Sequence, residues 1–427
     1  MVFSRSQNPG KRYVDFYLEN IFKFCANRFL PYIGLTFAGI LLAHKNIDEF
    51  SFFSYISSAF IFPATIATFI FYAIGNLPPP SNTEHRQRVF NSSFAAAITL
   101  SGISCLVCTG ILYASSAQLA AYASDYQTSR LSWFYIAYTF FYIINGFFNS
   151  YFEAWLKDKT STTGRTLGFT FLVVVSSFGY FQWESLNYST KLAELMLGCA
   201  VFESAYYLSR CLRLGLLSKS FEYKIISDLL RIGAPMGIGL AFQRLAILLV
   251  NARLLLIDKD FVSLYSIAMS IVSLLLIPAS AFAQIHTIYV TRNKAIKLGF
   301  HPIVLLAINL APAVFLIMYF GDAILPFYGL PPGLAGQVSE ASHGTALILG
   351  STAPLMLITA HLRAKGSSLR PQILINISVY CIYIPIIFSG ALDNRPPTSL
   401  LFAYAITFLI CMVSLLWVER KSLFNLR

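Results

Sequence analysis

Apolar runs of one particular length recur along the whole chain of 427 residues. A run of about 17–25 apolar residues is what an α-helix needs to cross ~30 Å of hydrocarbon. Hydrophobic residues make up 56% of the chain and charged residues only 12%, which is roughly half the charged fraction of soluble globular proteins. The sequence therefore predicts an all-α membrane protein that crosses the bilayer many times.

Twelve such runs can be recognised, and polar or Pro/Gly-rich links such as 76–88 separate them. The predicted spans are residues 24–43, 51–75, 89–113, 131–153, 166–183, 192–212, 230–257, 261–290, 302–320, 344–362, 372–391 and 398–418. An even number of spans returns the chain to the side of the membrane from which it started.

The distribution of Lys and Arg predicts which side that is. Most of the 31 basic residues fall in the N-terminal segment, in alternate links and in the C-terminal tail. The opposite links hold only Lys45, Arg130, Lys191, Lys259 and Arg395. Cytoplasmic loops carry an excess of Lys and Arg, so both termini are predicted to be cytoplasmic. The net charge of +12 then reflects topology and attraction to anionic membrane lipids, and we expect no nucleic-acid partner.

Two short matches indicate an internal repeat. The run RFLPYIGL around Pro31 resembles RIGAPMGIGL around Pro235, and AWLKDK at 154–159 resembles AHLRAK at 360–365. The matched segments keep their order and nearly the same spacing. Six spans in each half would have the same orientation, as in transporters built from parallel repeats. We therefore predict two six-helix bundles, related by a pseudo-twofold axis along the membrane normal.

This division of the sequence predicts five segments. They are a cytoplasmic N-terminal arm (1–23), an N-terminal six-helix bundle (24–212), a cytoplasmic linker (213–228), a C-terminal six-helix bundle (229–418) and a cytoplasmic tail (419–427). The arm mixes acidic and basic residues and lacks the short apolar core of a cleaved signal peptide.

An arginine in the middle of the seventh span points to function most directly. Arg244 follows Gln243 and lies about 20 Å from either end of span 230–257, at 1.5 Å per residue. A charged side chain at the bilayer centre costs about 2.5–3.5 kcal/mol on insertion scales, so it should face protein or water. Arg244 could form an internal ion pair, for which Glu203 in the sixth span is the candidate partner. It could instead line a cavity that receives an anionic group.

Amides and prolines within the spans are further candidates. Asn145, Asn149 and Asn251 lie inside spans, where they could join helices by hydrogen bonds or line a sugar-binding cavity. Three prolines would each kink a helix and offer a hinge for a moving transporter. These prolines are Pro31, Pro235 and Pro278.

The sequence carries no arrangement typical of an enzyme. A Walker loop, an HExxH motif and a His–carboxylate cluster are all missing from it, which argues against ATP hydrolysis and metal-dependent proteolysis. The seven cysteines lie in or beside apolar runs and do not form a metal-binding pattern. We expect no catalytic residue, no metal site and no cofactor.

Several of these features resemble the multidrug/oligosaccharidyl-lipid/polysaccharide (MOP) flippase superfamily. Twelve spans in two matched halves, with a basic residue, a glycine and a proline at the start of the seventh span, are similar to that group. The run DKDFVSLYSIA from Asp258 to Ala268, followed by Ile277 and Pro278, resembles the branch of polysaccharide exporters and lipid-linked oligosaccharide flippases. Ser263 stands where that branch typically has glycine.

The multidrug and toxic-compound extrusion (MATE) branch shares the same frame and is the rival. Its bacterial sodium-coupled members carry acidic residues in the first, seventh and tenth spans. The matching positions here are Asn46, Gln243 and Thr352. The sequence therefore lacks the acids of those members, and Arg244 stands beside one of the substituted positions.

The resemblance implies an alternating-access transporter that flips or exports a lipid-linked oligosaccharide or polysaccharide precursor across the bacterial cytoplasmic (inner) membrane. The pyrophosphate of that cargo would meet Arg244, whose guanidinium offers bidentate hydrogen bonds. The resemblance also implies that a gradient of H⁺ or Na⁺ drives transport, and it leaves the ion open. A polysaccharide polymerase or other export machinery would be the protein partner. The alternative is a MATE-type cation-coupled antiporter of drugs.

Overall fold

In a computed structural model of the protein, all regular secondary structure of the described residues is helical. The structure describes residues 9–71, 74, 83–120, 125–152, 160–183, 188–218, 220–292, 298–330, 332–367, 369–392, 395–420 and 423. The α-helices are α1 (Pro9–Lys45), α2 (Ile47–Phe71), α3 (Thr83–Ala120), α4 (Asp125–Tyr151), α5 (Thr160–Gln182), α6 (Tyr188–Arg213), α7 (Tyr223–Ile257), α8 (Lys259–Leu275), α9 (Ile277–Arg292), α10 (Phe300–Phe327), α11 (Val338–Ala364), α12 (Leu369–Ser378), α13 (Ile384–Phe388) and α14 (Ser399–Val418). A 3₁₀ helix (Pro332–Gln337) precedes α11, and a π-helical turn (Val379–Tyr383) joins α12 to α13.

The described part of every predicted span overlaps one helix or a run of consecutive helical segments. This agreement has a physical cause, since a helix satisfies its backbone polar groups internally, as hydrocarbon requires. Within the described residues, seven helices are long and apolar enough to cross a membrane, or eight if the bent pair α8–α9 is one span. The chain is therefore a multi-pass helical membrane protein, and the count of twelve spans stays a prediction.

The three candidate hinge prolines occupy different helical positions. The chain bends by 46° between α8 and α9, and Pro278 is the second residue of α9. A proline in the first turn of a helix needs no backbone N–H partner, so it fits the start of the new segment. Pro31 and Pro235 lie within the bounds of α1 and α7, each of which runs on as one helix.

The helices group into two compact units. Unit 1 consists of the described residues in Met1–Tyr32 and Ser263–Arg427, and unit 2 of those in Ile33–Val262. Helix α1 contributes residues to both. In unit 2, α7 packs against α2 and α3, although α7 follows the predicted linker 213–228. The compact units therefore do not follow that linker, and the division into two six-helix bundles stays a prediction.

Unit 2 has an aromatic core. Helices α2, α3, α4 and α6, together with the residue directly after α4, supply its fully buried rings, which are Phe71, Phe90, Phe147, Phe148, Tyr151, Phe152 and Tyr207. Helix α5 packs on α6. The connection between α6 and α7 is held to α3, because the Nδ2 of Asn91 donates to the carbonyl oxygen of Leu216 at 3.1 Å. This packing fixes the helix faces that carry the polar residues described below.

Unit 1 is organised around α11, which packs against α9, α10 and α14. Residues 9–23 of the predicted N-terminal arm also belong to it, because they form the first part of α1. The rings of Tyr13 and Phe16 lie 4.8 Å and 5.5 Å from the ring of Tyr289 in α9. The described part of the arm is therefore a helix that packs against α9. In the tail, the carbonyl oxygen of Leu423 accepts a hydrogen bond from the Leu298 amide at 3.2 Å.

Candidate functional site

A polar network in unit 2 surrounds the carboxylate of Glu203. The carboxylate accepts hydrogen bonds from Asn145 Nδ2 and Asn149 Nδ2, both at 3.4 Å, and from the Tyr207 hydroxyl at 3.0 Å. The Ser161 hydroxyl donates to Asn149 Oδ1 at 2.8 Å. We call these five residues the Glu203 network. Its hydrogen bonds join helices α4, α5 and α6.

Helical spacing explains why these side chains meet. Asn145 and Asn149 are four residues apart on α4, and Glu203 and Tyr207 are four residues apart on α6, so each pair shares one helix face. Gly164 of α5 leaves room for the Tyr207 ring, because a Cβ atom at position 164 would lie 2.5 Å from its Cζ. The two polar residues of α4 therefore face the two polar residues of α6 between otherwise apolar helices.

The cation beside this network is Arg165, which acts electrostatically on Glu203. Arg165 lies just before the predicted span 166–183, in one of the Lys- and Arg-rich links, so its position alone does not indicate a role in this network. The proposed pair between Glu203 and Arg244 does not form, since no hydrogen bond or ion pair joins these two side chains in the described part of the chain. The carboxylate oxygens are instead occupied by donors from α4 and α6.

The second group of predicted residues lies on α7. Arg244 is half-buried, and it has no hydrogen bond or ion pair with any described residue. Asn251 is only 4% exposed, and its Oδ1 has no hydrogen-bond partner among the described residues. These two residues are seven positions apart and share one stripe of α7 with Gly237. Gln243 is also half-buried and lies about 100° round the helix from Arg244.

The two groups differ in what they offer to a ligand. In the Glu203 network, the hydrogen-bonding atoms of Asn145 and Asn149 are used between helices. On α7, no described residue bonds to the guanidinium of Arg244 or to the Oδ1 of Asn251. A guanidinium is a donor that fits a phosphate or carboxylate, and an amide oxygen accepts from hydroxyl groups. Among the described residues, no group of three or more His, Cys, Asp or Glu is arranged to hold a metal ion.

No protein-family model matches the sequence, and no curated protein matches it. Solved structures do match. One is described as the inward-facing conformation of a multidrug resistance MATE family transporter of the MOP superfamily. Its sequence is 15% identical to this chain, and the two structures superpose with a TM-score of 0.67 over 92% of this chain and 95% of that chain. An outward-facing structure of such a transporter is 14% identical, with 98% and 97% covered and a TM-score of 0.68.

A third similar structure is a MOP superfamily transporter from Pyrococcus furiosus. It is 13% identical, with 98% of this chain and 99% of that chain covered and a TM-score of 0.72. Its binding pocket is described as having reverse polarity, which suggests a different function for that protein. At such low identities the likeness concerns the fold. The chain therefore shares the fold of these MATE and MOP superfamily transporters.

Proposed function

We propose that this chain is an alternating-access transporter that exports an anionic amphipathic molecule. The fold supports the alternating-access part, since solved MATE transporters with this fold have been captured both inward-facing and outward-facing. Packed helices that exist in two arrangements expose one binding site to each side of a membrane in turn.

The single observation that carries the anionic cargo is the state of Arg244. Its guanidinium is half-buried in an apolar helix and has no partner among the described residues. It lies 13 residues before the end of α7, a distance of about 20 Å along the helix. A charge at such a position requires a partner or water. An anionic group of the cargo would supply that partner.

The specific cargo that we propose is a lipid-linked oligosaccharide or polysaccharide precursor that carries a pyrophosphate. Arg244 would bind the phosphate oxygens in a bidentate manner, and the free Oδ1 of Asn251 would accept a hydrogen bond from a sugar hydroxyl. The reverse polarity described for the Pyrococcus furiosus transporter supports the idea that this fold can carry pockets of different charge. Such a flippase would act in the bacterial cytoplasmic membrane and deliver its cargo to a polysaccharide polymerase or related export machinery.

Substitution of Arg244 tests this proposal. We expect Arg244→Ala to lower the delivery of pyrophosphate-linked glycan to the outer face at least tenfold, with Arg244→Lys intermediate, because lysine keeps the charge but not the planar donor pair. Arg231→Ala is the matched control, since Arg231 is an exposed arginine on the same helix. Membrane levels of all three variants are compared by immunoblot. Normal glycan export by Arg244→Ala would contradict the anionic-cargo assignment.

A MATE-type antiporter of cationic drugs is the second candidate, and the similarity to MATE structures favours it. It predicts that the chain lowers ethidium accumulation in cells and leaves the surface glycan unchanged. Arg244 would then repel the cargo, so Arg244→Gln should increase dye efflux. Ethidium efflux by the wild type, enhanced in Arg244→Gln, would replace the anionic-cargo proposal with this one.

A further inference from the structure

Three buried side chains of unit 1 form one hydrogen-bonded chain. The Tyr13 hydroxyl lies 2.8 Å from His286 Nδ1, and His286 Nε2 lies 3.1 Å from His361 Nδ1. Tyr13 is 4% exposed, and both histidines are 0% exposed. We call this set the Tyr–His–His chain. It joins helices α1, α9 and α11, and neither the Glu203 network nor Arg244 belongs to it.

The surrounding packing holds these rings in place. The two imidazoles are stacked, with centroids 5.3 Å apart, and Tyr13 meets the edge of His286 at 5.7 Å. The Thr287 hydroxyl donates to the carbonyl oxygen of Ala360 at 3.2 Å. Because Thr287 and Ala360 are the neighbours of the two histidines in sequence, this bond fixes α9 against α11 at the level of the pair.

One end of the chain is left unsatisfied. His361 Nε2 is buried and has no hydrogen-bond partner among the described residues. The positions of the heavy atoms fit donation in either direction along the chain. If donation runs from His361 Nδ1 to His286 Nε2 and from His286 Nδ1 to Tyr13, then His361 Nε2 carries a free lone pair. A lone pair without a donor is a place where one proton can bind.

Among the described residues, Lys365, Tyr289 and Tyr17 act electrostatically on the Tyr–His–His chain. Lys365 at the end of α11 acts electrostatically on His361, and Tyr289 of α9 packs on Tyr13. On α1, Asp15 and Glu19 are exposed and Tyr17 donates to Asn309 of α10 at 2.9 Å. On the neighbouring helices, His301 and Arg363 are exposed, and Glu419 accepts from Arg370 at 3.5 Å.

We propose that the Tyr–His–His chain is the site that binds the proton whose movement drives transport. The proposal rests on the transporter function argued above and selects H⁺ over Na⁺ as its driving ion. A hydronium ion would transfer its proton to His361 Nε2, so that one O–H bond breaks, one N–H bond forms and a water molecule is released. His361 would then hold N–H groups on both ring nitrogens, and the added charge would be shared with His286 through the 3.1 Å contact. The reverse transfer, from Nε2 to a water molecule, would release the proton.

Burial explains how such a site would couple proton binding to conformation. In the structure described here, Nε2 has no access to water, and a buried imidazolium without a counter-ion is unfavourable. Proton binding is therefore favourable only in a conformation that hydrates Nε2. A ligand that binds one conformation better shifts the population towards it. Because Tyr13 belongs to the Tyr–His–His chain, this shift in population would change the packing of α1 against α9.

The first experiment measures the proton site without any cargo. The purified full-length chain is labelled with ¹⁵N-histidine, and its six histidines are assigned from single variants. We expect two resonances to show one shared proton at neutral pH and to respond together on acidification, while the exposed His343 responds alone. In His361→Asn the Asn side chain keeps a polar atom near the Nδ1 position, and the His286 resonance should lose the coupling. Two independent neutral rings throughout would overturn the proposal.

The second experiment measures coupling in proteoliposomes. The probe is pyrophosphate-linked lipid glycan or ethidium, whichever the wild type moves, under a pH gradient, under a Na⁺ gradient, or without either. We expect His361→Asn and Tyr13→Phe to lose at least tenfold of pH-driven transport and to keep gradient-free equilibration. His343→Asn is the control. Three outcomes would each overturn the proposal. They are unchanged pH-driven transport in His361→Asn, an equal loss of pH-driven transport and gradient-free equilibration, and a wild type that is driven by Na⁺ alone. A wild type that moves neither probe would count against the proposed function. The ¹⁵N-histidine measurement alone would then test whether His361 and His286 share a proton.

Discussion

Gly233 of α7 lies so close to Ile70 of α2 that a Cβ atom on it would be 2.6 Å from the Ile70 carbonyl oxygen. A Cβ atom on Gly237, one turn later, would lie 2.8 Å from the Ile66 carbonyl oxygen. Small residues four positions apart allow the backbones of two membrane helices to approach closely, and dispersion contacts then replace the missing hydrophobic driving force. This contact is why α7 belongs to unit 2.

Gly233→Ala should therefore destabilise the protein. The added methyl meets backbone atoms, which cannot rotate away, and overpacking of this kind costs about 1–3 kcal/mol. The measurement is the thermal midpoint of the purified protein in detergent. Gly198→Ala is the control, because Gly198 lies on α6 with nothing within 4 Å of its Cβ position, and alanine there should be neutral or stabilising. Equal behaviour of the two variants would show that the close contact is absent in solution.

Glu203→Gln should also destabilise the protein, because it replaces one of the two accepting carboxylate oxygens with an NH₂ group. Asn145, Asn149 and Tyr207 all donate to the carboxylate, whereas an amide offers one oxygen and one NH₂ group. At least one donor is then left facing another donor, at a cost of about 1–3 kcal/mol.

Glu194→Gln on the same helix is the comparison for Glu203. Glu194 pairs with Arg130 at 2.7 Å and Lys191 at 2.8 Å, and these side chains are 25%, 45% and 44% exposed. Ion pairs as exposed as these contribute about 0–1 kcal/mol. We expect a clear fall in the thermal midpoint for Glu203→Gln and almost none for Glu194→Gln. The reverse order would mean that the Glu203 network does not hold α4 to α6.

A pH dependence follows from Glu49, in the first turn of α2 and outside the predicted span. Burial raises the pKa of this carboxyl, although its Oε2 accepts from the Ser189 amide at 2.8 Å. The folded chain then binds this proton more readily than the unfolded chain, so the stabilisation is full below the unfolded pKa and is lost as pH rises through the folded pKa. Glu49→Gln cannot lose a proton. Its thermal midpoint should exceed that of the wild type at pH 7, and the difference should shrink towards pH 4. A difference that is constant with pH would contradict this account.

The sequence predicted the helices because hydropathy reports which segments avoid water. Span 230–257 lies within α7, and the chain of span 261–290 bends beside Pro278, where a proline signals a break. The Gly233-x-x-x-Gly237 spacing is also readable in the sequence and could have predicted the contact with α2.

The lateral contacts could not be predicted in the same way. His286 and His361 are 75 residues apart, and Tyr13 precedes His286 by 273 residues. In a chain of apolar helices, shape and a few polar contacts choose the neighbours, and hydropathy carries no information about either. The same reason explains why hydropathy could not predict that Arg165 acts electrostatically on Glu203.

Asn251 gives a prediction that separates function from stability. Its side chain is 4% exposed and its Oδ1 has no partner among the described residues, so a leucine of similar size would remove an unpaired polar atom from an apolar site. Leaving such an atom unpaired costs about 1–3 kcal/mol. Asn251→Leu should therefore keep or raise the thermal midpoint.

Export should nevertheless fall in Asn251→Leu if the free oxygen serves the cargo, since residues kept for binding are often held at some cost in stability. Asn145→Leu is the contrasting variant, because Asn145 donates to the Ala200 carbonyl oxygen at 2.9 Å and accepts from the Ser204 hydroxyl at 2.6 Å. It should lose stability and, with it, membrane level. If Asn251→Leu destabilised the protein as much as Asn145→Leu does, the Asn251 amide would have a structural partner, and its role in binding the cargo would be withdrawn.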